Sequence, residues 1–338
     1  MEILENYSLI QHNTFGLNVS AKNFTEVTNE SEILEVISRK KLEFENKLIL
    51  GGGSNILFTK NFDGLIVHNL LKGIEVVNED PNHVYVRAAA GEVWHNFVRW
   101  NVERNYAGIE NLSLIPGYVG AAPMQNIGAY GAEINDTFYE LEAIHLTTGE
   151  KVRMNKLDCK FGYRESVFKH EFKNQFIITS VTFCLNKIPS FNINYGDIQH
   201  TLNEMQVTEL SLKAVSDAVI KIRSSKLPHT GELGNAGSFF KNPTISSSQF
   251  EAIKQLHPVM PHYPQINGNQ KIPAGWLIEQ CGWKGKQIGN VGAHKTQALV
   301  LVNYGGATGE EILQHALRMQ QSVKEKFGIE IETEVNVI

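Results

Sequence analysis

A glycine-rich turn between two apolar segments, LILGGGSNILF (residues 48–58), constrains the fold of this chain more than any other feature. A P-loop would need GK[ST] after its glycines, and a dinucleotide-binding fingerprint would need GxGxxG at the start of a helix. Here a strand-like segment follows the turn instead. The stretch therefore predicts strand, turn and strand. Consecutive glycines let backbone amides approach a phosphate, so the turn is either a phosphate cradle or a plain hairpin loop.

The length and charge of the chain limit its architecture and its partners. At 338 residues it is too long for one ordinary core, so two or three domains are expected. The net charge of −5 argues against general nucleic-acid binding, which usually leaves a basic footprint. The N-terminal sequence does not resemble a secretory signal, and no apolar run approaches the roughly 20 residues of a membrane helix. We expect no nucleic-acid partner and no membrane insertion.

Cysteine and histidine usage points to a reduced protein without a metal. Cys159, Cys184 and Cys281 are odd in number and widely spaced, which indicates free thiols in a cytoplasmic protein. The twelve histidines show no metal-ligand spacing, and there is no CxxC or HExxH pattern, so no metal site is predicted.

Apolar periodicity predicts an α+β chain that is strand-rich first and mixed later. Period-two and β-branched segments predict strands at 64–70, 83–90 and 176–186, a hairpin at 140–154 around TTGE, and a closing strand at 329–338. Helical spacing with capping residues and proline or glycine stops predicts helices within 93–105, 208–228, 246–258 and 308–328.

Two further segments have side chains or backbone suited to a ligand. SLIPGYVGAAPMQNIGAYGAEI (113–134) holds four glycines and few charges, so it is either a wall against a flat apolar ligand or a buried crossover. In FGYRES (161–166), Arg164 offers a rigid fork for a carboxylate or phosphate. The alternative is a surface arginine paired with Glu165.

Later motifs are individually ambiguous. Arg223 and Lys226 could hold a diphosphate or complement a helix dipole. Tyr195 in INYGD lies near the tip of a predicted turn, and Glu334 in ETEVN could belong to a solvated strand face. GNAGSFFKNP (234–243) places the hydroxyl of Ser238 between glycines and two phenylalanines, which fits neither a plain turn nor a plain strand.

Taken in order, GGGSN, IPGYVGAAPMQNIGAYG, FGYRES, NAGSFFKNP, AGWLIEQCGWKGKQIG and ETEV resemble the UDP-N-acetylenolpyruvoylglucosamine reductase (MurB) family from about residue 15 to residue 336. The motifs are long and keep the family order. NYGD and the long stretch before NAGSFFKNP resemble the family type that carries a tyrosine on a loop over the substrate.

The resemblance implies a fold with FAD-binding domains of the vanillyl-alcohol-oxidase (PCMH) type and a C-terminal α/β substrate-binding domain. The implied division is residues 1–71, with the strand 335–338 packing back on them, then 72–222, and 223–334 for the nucleotide sugar. The family also suggests a cytoplasmic monomer that acts in peptidoglycan precursor synthesis.

The resemblance also implies roles for individual residues. The FAD contacts would come from Gly51, Gly52, Gly53, Ser54, Asn55, Ile115, Pro116, Gly117, Gly120, Gln125, Asn126, Gly128, Ala129 and Gly131. The substrate contacts would come from Tyr195, Arg223, Lys226, Asn242, Tyr263 and Gln297. The catalytic residues would be Arg164, Ser238 and Glu334.

The implied reaction uses NADPH to reduce FAD, which then reduces UDP-N-acetylglucosamine enolpyruvate to UDP-N-acetylmuramate. Hydride goes to C3 and Ser238 gives a proton to C2, while Arg164 and a neutral Glu334 stabilise the charge that develops on the carboxylate. One position departs from the family, since Asn336 stands where a basic residue is common. We expect Arg164 to carry more of that charge, or Lys241 or Arg223 to assist.

Two alternatives remain beside this interpretation. A different flavin oxidoreductase on the same PCMH fold would not need NAGSFFKNP or the terminal ETEV. A non-enzymatic nucleotide-sugar binding protein would not need the flavin-type loops and would be colourless.

Overall fold

The computed structural model describes residues 1–39 and 46–338. The strands in these residues are β1 (Leu4–Ser8), β2 (Ser20–Val27), β3 (Lys47–Leu50), β4 (Ile56–Leu57), β5 (Phe62–Asn69), β6 (Ile74–Glu79), β7 (His83–Ala89), β8 (Gly128–Ala129), β9 (Ala132–Glu133), β10 (Phe138–His145), β11 (Lys151–Asn155), β12 (Phe176–Asn186), β13 (Gly234–Ser238), β14 (Thr244–Ile245), β15 (Tyr263–Pro264), β16 (Gln270–Lys271), β17 (Gln287–Ile288), β18 (Val291–Ala293), β19 (Val300–Asn303) and β20 (Asn336–Val337). The α-helices are α1 (Glu30–Ser38), α2 (Trp94–Val102), α3 (Ile134–Thr137), α4 (Lys156–Cys159), α5 (Ile198–Glu204), α6 (Leu212–Lys226), α7 (Ser247–Leu256), α8 (Ala274–Gln280) and α9 (Gly309–Phe327).

By its internal contacts the chain forms two compact units. The first unit comprises Met1–Tyr7, Ala21–Gly52 and Asp63–Ser225. The second comprises Ser8–Ser20, Gly53–Phe62 and Lys226–Ile338. Each unit contains strands and helices, so the α+β prediction is confirmed.

The first unit contains a four-stranded sheet of order β1-β2-β5-β3 and a five-stranded sheet of order β11-β10-β12-β7-β6. The predicted hairpin is confirmed, because β10 and β11 pair antiparallel with Ile144 opposite Lys151. The predicted helix at 93–105 is α2, whose buried face includes Trp94 and Phe97. Both rings pack on Phe183 of β12, with centroids 5.7 and 5.1 Å away. The helical spacing thus reflects packing against the sheet.

The second unit contains the sheet β13-β19-β18-β17, the small sheet β14-β16-β15 and the parallel pair β20-β4. Helix α9 buries Ile312, Ala316 and Met319 in the core of this unit. Its predicted ends are confirmed, because Thr308 and Glu311 form a capping box and Gly328 ends the helix with φ +65°.

The predicted closing strand at 329–338 is mostly wrong. Ile329 and Ile331 are buried while Glu330 and Glu332 are exposed, so the alternation is real. However, regular pairing is limited to β20, which pairs with β4, and to an isolated bridge between Thr333 and Phe240. Alternation reports which side chains are buried, whereas a ladder also needs a continuous partner strand.

Helices α1, α3, α4, α5 and α8 were not predicted. Helix α5 has only seven residues, and α8 contains Gly275, a residue of low helix propensity. Both are too short for apolar periodicity to stand out from their surroundings.

A buried histidine in the second unit gives the fold a pH-dependent stability. The side chain of His315 on α9 is 2 % exposed, lies edge-on to Trp283 and has no partner for Nε2 within the described residues. Burial lowers the pKa of His315 from 6.5 to about 4, and the cations of Arg318 and Lys286 act in the same direction. Between these two values the unfolded chain binds a proton that the folded chain does not, so the free energy of unfolding falls as the pH falls.

We therefore expect His315→Leu to flatten the pH dependence of stability. Between pH 7 and pH 4.5 the variant should gain on the order of 2 kcal/mol over the parent, because Leu cannot take up the proton. Urea unfolding followed by tryptophan fluorescence at both pH values measures the difference. A difference that does not change with pH would contradict the assignment.

Candidate active site

The first two glycines of the GGGSN turn pack against another glycine-rich segment of the first unit. A Cβ on Gly52 would lie 3.1 Å from the Cα of Gly117 and 3.3 Å from the ring of Tyr118. The Tyr118 ring stacks on that of His68, with centroids 6.0 Å apart. Sequence reasoning did not single out Tyr118. The backbones at Gly52 and Gly117 therefore lie side by side with no side chain between them. This arrangement suits a phosphate-bearing group held by main-chain amides.

The rest of the turn, residues 53–55, belongs to the second unit. Gly53 has φ +63°, and a Cβ there would lie 2.0 Å from the carbonyl oxygen of His12, so no other residue fits. The Nδ2 of Asn55 donates to the carbonyl oxygen of Glu334 at 3.3 Å. Asn336 donates to the Asn55 carbonyl oxygen through its backbone N–H at 3.2 Å and its Nδ2 at 3.0 Å. The end of the turn is thereby tied to the segment that carries Glu334.

Part of the segment 113–134 is a buried crossover, one of the two alternatives that the sequence left open. Residues Val119–Gln125 form a 3₁₀ helix with Val119, Ala122 and Pro123 buried. A Cβ on Gly120 would lie 2.5 Å from the Cβ of Ala90, so packing inside the unit already requires this glycine. Its contact with a cofactor stays a prediction.

The backbone before Ile115 is held by two side chains that sequence reasoning did not connect. Leu114 has φ +58°, its N–H donates to Nδ1 of His95 at 2.9 Å, and its carbonyl oxygen accepts from Nε of Arg223 at 3.2 Å. Burial lowers the pKa of His95, and the cations of Arg99 and Arg223 lower it further. The imidazole is therefore neutral at pH 7, as an accepting Nδ1 requires.

Arg223 and Arg164 make this part of the first unit electropositive. Burial lowers the pKa of Arg223, and the charge of Arg164 acts in the same direction. Within residues 1–39 and 46–338, no carboxylate forms an ion pair with Arg223. A buried guanidinium with a second one within electrostatic reach attracts a carboxylate or phosphate.

The side chain of Arg164 is 16 % exposed and is positioned by the hairpin of β8 and β9. Its Nη2 donates to the carbonyl oxygen of Gly128 at 2.5 Å, and its Nη1 lies 3.9 Å from Oε1 of Glu133. Its φ of +55° is rare for a residue with a side chain and marks a functional candidate. Glu165, the partner considered from the sequence, pairs with His170 at 2.7 Å.

Asn126 supports the same arrangement rather than presenting its amide to a ligand. Its Nδ2 donates to Oε2 of Glu133 at 2.8 Å and to the carbonyl oxygen of Gly162 at 3.0 Å. Its Oδ1 accepts from the N–H of Asn135 at 3.0 Å. The side chain therefore joins the hairpin to the turn that carries Arg164. The FAD contact of Asn126 stays a prediction.

Tyr195 lies beside the tip of the same hairpin. A Cβ on Gly131, whose φ is +77°, would lie 3.1 Å from the Cβ of Tyr195. The Tyr195 side chain is 46 % exposed. The first unit thus brings together Gly128, Gly131, Arg164 and Tyr195, with Arg223 within electrostatic reach of Arg164.

In the second unit, Ser238 ends β13 next to an irregularity in the strand. The pairing of β13 with β19 shifts register between Asn235 and Ser238, and Gly237 has φ +68°. Phe239 and Phe240 are buried in the core. The N–H of Glu334 donates to the carbonyl oxygen of Phe239 at 2.8 Å. Ser238 and Glu334 are therefore brought onto neighbouring extended segments.

Three of the four substrate candidates in the second unit gather around the start of α8. Oδ1 of Asn242 accepts from the N–H of Ala274 at 2.9 Å. A Cβ on Gly275 would lie 3.3 Å from Oε1 of Gln297. Thr296, the neighbour of Gln297, donates to the carbonyl oxygen of Lys226 at 3.4 Å. Tyr263 lies apart on β15, with 46 % of its surface exposed.

The described part of the chain has neither a metal-binding cluster nor a membrane-spanning helix. No group of three or more His, Cys, Asp or Glu side chains there could hold a metal ion. No helix in the same residues is long and apolar enough to cross a membrane.

Comparison with known proteins identifies the family. Residues 228–338 match the model of the UDP-N-acetylenolpyruvoylglucosamine reductase C-terminal domain, and residues 21–155 match an FAD binding domain. The latter match confirms the expected FAD-binding domain. The structure shares its fold with the crystal structure of UDP-N-acetylenolpyruvylglucosamine reductase (MurB) from Thermus caldophilus, with TM-score 0.69 and 21 % identity over 99 % of this chain and 98 % of that one.

Curated relatives match over the whole length. Proteins named UDP-N-acetylenolpyruvoylglucosamine reductase from Flavobacterium johnsoniae and Amoebophilus asiaticus are 52 % and 48 % identical, and each alignment covers 100 % of both chains. Identity at this level over full length confirms the resemblance read from the motifs: the chain belongs to the UDP-N-acetylenolpyruvoylglucosamine reductase family.

Proposed function

We propose that the chain reduces UDP-N-acetylglucosamine enolpyruvate to UDP-N-acetylmuramate in peptidoglycan precursor synthesis, with FAD as cofactor and NADPH as reductant. The observation that carries the proposal is the 52 % identity over full length with a relative named for this reduction. The FAD binding domain match supports the cofactor.

The glycine-rich segments are the proposed FAD site. Gly51, Gly52 and Gly117 present backbone without side chains, and at Gly53 only glycine fits. The other contacts would come from Ser54, Asn55, Ile115, Pro116, Gly120, Gln125, Asn126, Gly128, Ala129 and Gly131. When bound and reduced by NADPH, the flavin would supply the hydride that adds to C3 of the enolpyruvyl group.

Arg164 and Arg223 are the proposed anchors for the substrate carboxylate. Addition at C3 leaves negative charge on C2 and the carboxylate, and preorganised cations stabilise that charge. Asn336 cannot supply a cation, and its amide is used to hold Asn55. Arg223 has no ion-pair partner within the described residues, so a carboxylate there would offset its burial. We therefore assign to Arg223 part of the role that a basic residue has elsewhere in the family.

Ser238 and Glu334 are the proposed acids. Ser238 gives its proton to C2, whose strongly basic carbanion character makes a hydroxyl a sufficient donor. Glu334, in its protonated form, donates to the carboxylate. The backbone hydrogen bond from Glu334 to Phe239, the neighbour of Ser238, holds the segments that carry Ser238 and Glu334 side by side.

The remaining assignments concern the nucleotide-sugar contacts, the division into domains, the cellular location and the oligomeric state. Tyr195, Lys226, Asn242, Tyr263 and Gln297 would contact the sugar and diphosphate. We assign 1–71 and 72–222 to the FAD-binding part and 223–334 to the substrate part, which the matches at 21–155 and 228–338 support. Three widely spaced cysteines suit a cytoplasmic location. We expect a monomer, which light scattering would check.

A paired spectroscopic experiment tests the function. The purified protein should be yellow, NADPH should bleach it anaerobically, and the enolpyruvyl nucleotide sugar should then restore the colour. Stopped-flow absorbance follows both half-reactions. Bleaching without restoration would identify a different flavin oxidoreductase, and a colourless protein that still binds the sugar nucleotide would contradict catalysis altogether.

A further inference from the structure

Asn111 makes buried contacts in the first unit for which no assigned role accounts. The residue is 2 % exposed, and its Nδ2 donates to the carbonyl oxygens of Tyr130 at 2.9 Å and Asn192 at 2.7 Å. Its Oδ1 has no partner within the described residues. Since both neighbours are carbonyl oxygens, only the amide nitrogen can face them.

A second asparagine completes the connection. Nδ2 of Asn192 donates to the carbonyl oxygen of Gly131 at 2.9 Å. The hairpin tip and residue 192 are therefore joined twice: through Asn111, which bonds Tyr130 and Asn192, and directly, by the bond from Asn192 to Gly131. A Cβ on Gly131 would lie 2.9 Å from Nδ2 of Asn192, so the hairpin tip must be glycine for this approach.

Apolar packing fixes the same stretch from both sides of Asn192. Phe191 packs against the core beneath the five-stranded sheet, and Ile193 packs with Tyr130 against the core around α5 and α6. Beyond it, residues 194–197 are exposed and carry Tyr195. We call residues 191–193 the root of the loop and residues 194–197 its tip.

We propose that Asn111 is a positioning residue that fixes the root of the Tyr195 loop, so that only the tip adapts to the nucleotide sugar. The proposal rests on the proposed function insofar as Tyr195 contacts the substrate. Asn111 does not touch the reacting atoms. Its removal should therefore weaken binding of the sugar nucleotide and leave the chemical step largely unchanged.

Asn111→Leu tests the proposal, because Leu has a similar shape and no donor. The carbonyl oxygens of Tyr130 and Asn192 would lose the donor that joins them, which releases the root. We expect KM for the enolpyruvyl nucleotide sugar to rise about tenfold, with kcat within about threefold of the parent. Hydrogen–deuterium exchange of backbone amides in residues 187–197 should accelerate about tenfold in the purified flavoprotein.

The chain offers a matched control in Asn101→Leu. Asn101 is also fully buried in the first unit, donates from Nδ2 to the carbonyl oxygen of Phe97 at 2.7 Å, and has an unpartnered Oδ1 within the described residues. Its loss should destabilise helix α2 without changing the exchange of residues 187–197 or KM. If both variants changed KM and loop exchange alike, general destabilisation would explain the effect and the proposal would be overturned.

Unchanged exchange of residues 187–197 in Asn111→Leu would also overturn the proposal. If that variant does not fold, Asn192→Ala removes only the bond to Gly131 from an exposed position, and should raise KM about threefold with faster exchange of the same residues. A parent protein without activity toward the sugar nucleotide would overturn the proposed function alone. Faster amide exchange of residues 187–197 in Asn111→Leu would then still support the claim that Asn111 fixes the root of the loop.

Discussion

Ser238→Ala should lower turnover of the enolpyruvyl nucleotide sugar by about 10²–10⁴-fold, the usual contribution of a positioned proton donor. Reduction of the flavin by NADPH should proceed at the parent rate, because no proton is delivered to C2 in that half-reaction. Stopped-flow absorbance separates the two half-reactions in the same sample.

The structure explains why this hydroxyl can be so specifically placed. A Cβ on Gly237 would meet no atom within 4 Å, so the glycine is needed for its φ of +68° rather than for space. The resulting irregularity of β13 reorients Ser238, while buried Phe239 and Phe240 hold the segment after it. Substitution by Ala removes the hydroxyl and leaves all of these contacts.

Two further variants sharpen the result. Ser238→Cys retains a donor of similar size and should recover part of the lost turnover. Ser322→Ala removes a hydroxyl on α9 that donates to the carbonyl oxygen of Arg318, and it should leave both half-reactions unchanged. Turnover of Ser238→Ala near the parent value would remove Ser238 from its role as proton donor.

Arg164→Lys should lower the rate of flavin reoxidation by the sugar nucleotide about 10²–10³-fold, as expected when a donor to developing charge is lost. Lys keeps the positive charge, but its single ammonium cannot bond the Gly128 carbonyl oxygen and also hold a carboxylate at two points. Single-turnover reoxidation, monitored at saturating substrate, isolates this step.

Arg104→Lys is the matched control for charge-conserving replacement. Arg104 stacks on the ring of Trp100 at 3.8 Å and donates to the carbonyl oxygen of residue 100. Its replacement should leave reoxidation unchanged. If the flavin of Arg164→Lys were reoxidised at half the parent rate or faster, the fork geometry of Arg164 would not matter. A positive charge alone would then be enough to stabilise the substrate carboxylate.

Local patterns in the sequence were sufficient for helices α2, α6, α7 and α9 and for the motifs. The spacing of Trp94 and Phe97 predicted α2, and Thr308 with Gly328 predicted both ends of α9, because capping and helical periodicity act over a few residues. The motifs around Arg164 and Ser238 identified the family for the same reason, since each motif is one short stretch of chain.

Contacts between distant segments could not be obtained in this way. The terminal segment alternates in burial, yet its regular pairing is confined to β20 because a strand is defined by its partner. The local sequence marks Asn126 as a cofactor candidate, but it does not show that the side-chain amide joins Glu133 to Gly162. Nothing in the local sequence distinguishes an asparagine that binds a ligand from one that ties two turns together.

By itself the sequence therefore determined the family and many of the longer elements, and it predicted which residues carry the chemistry. Only the tertiary structure decided what holds those residues: the clamp of His95 and Arg223 on Leu114, the bond of Asn336 to Asn55, and the contacts of Asn111. The physical reason is that helix and turn preferences act between neighbours in the chain. The hydrogen bonds that position a site join residues up to 281 apart in the sequence, and they exist only once the chain has folded.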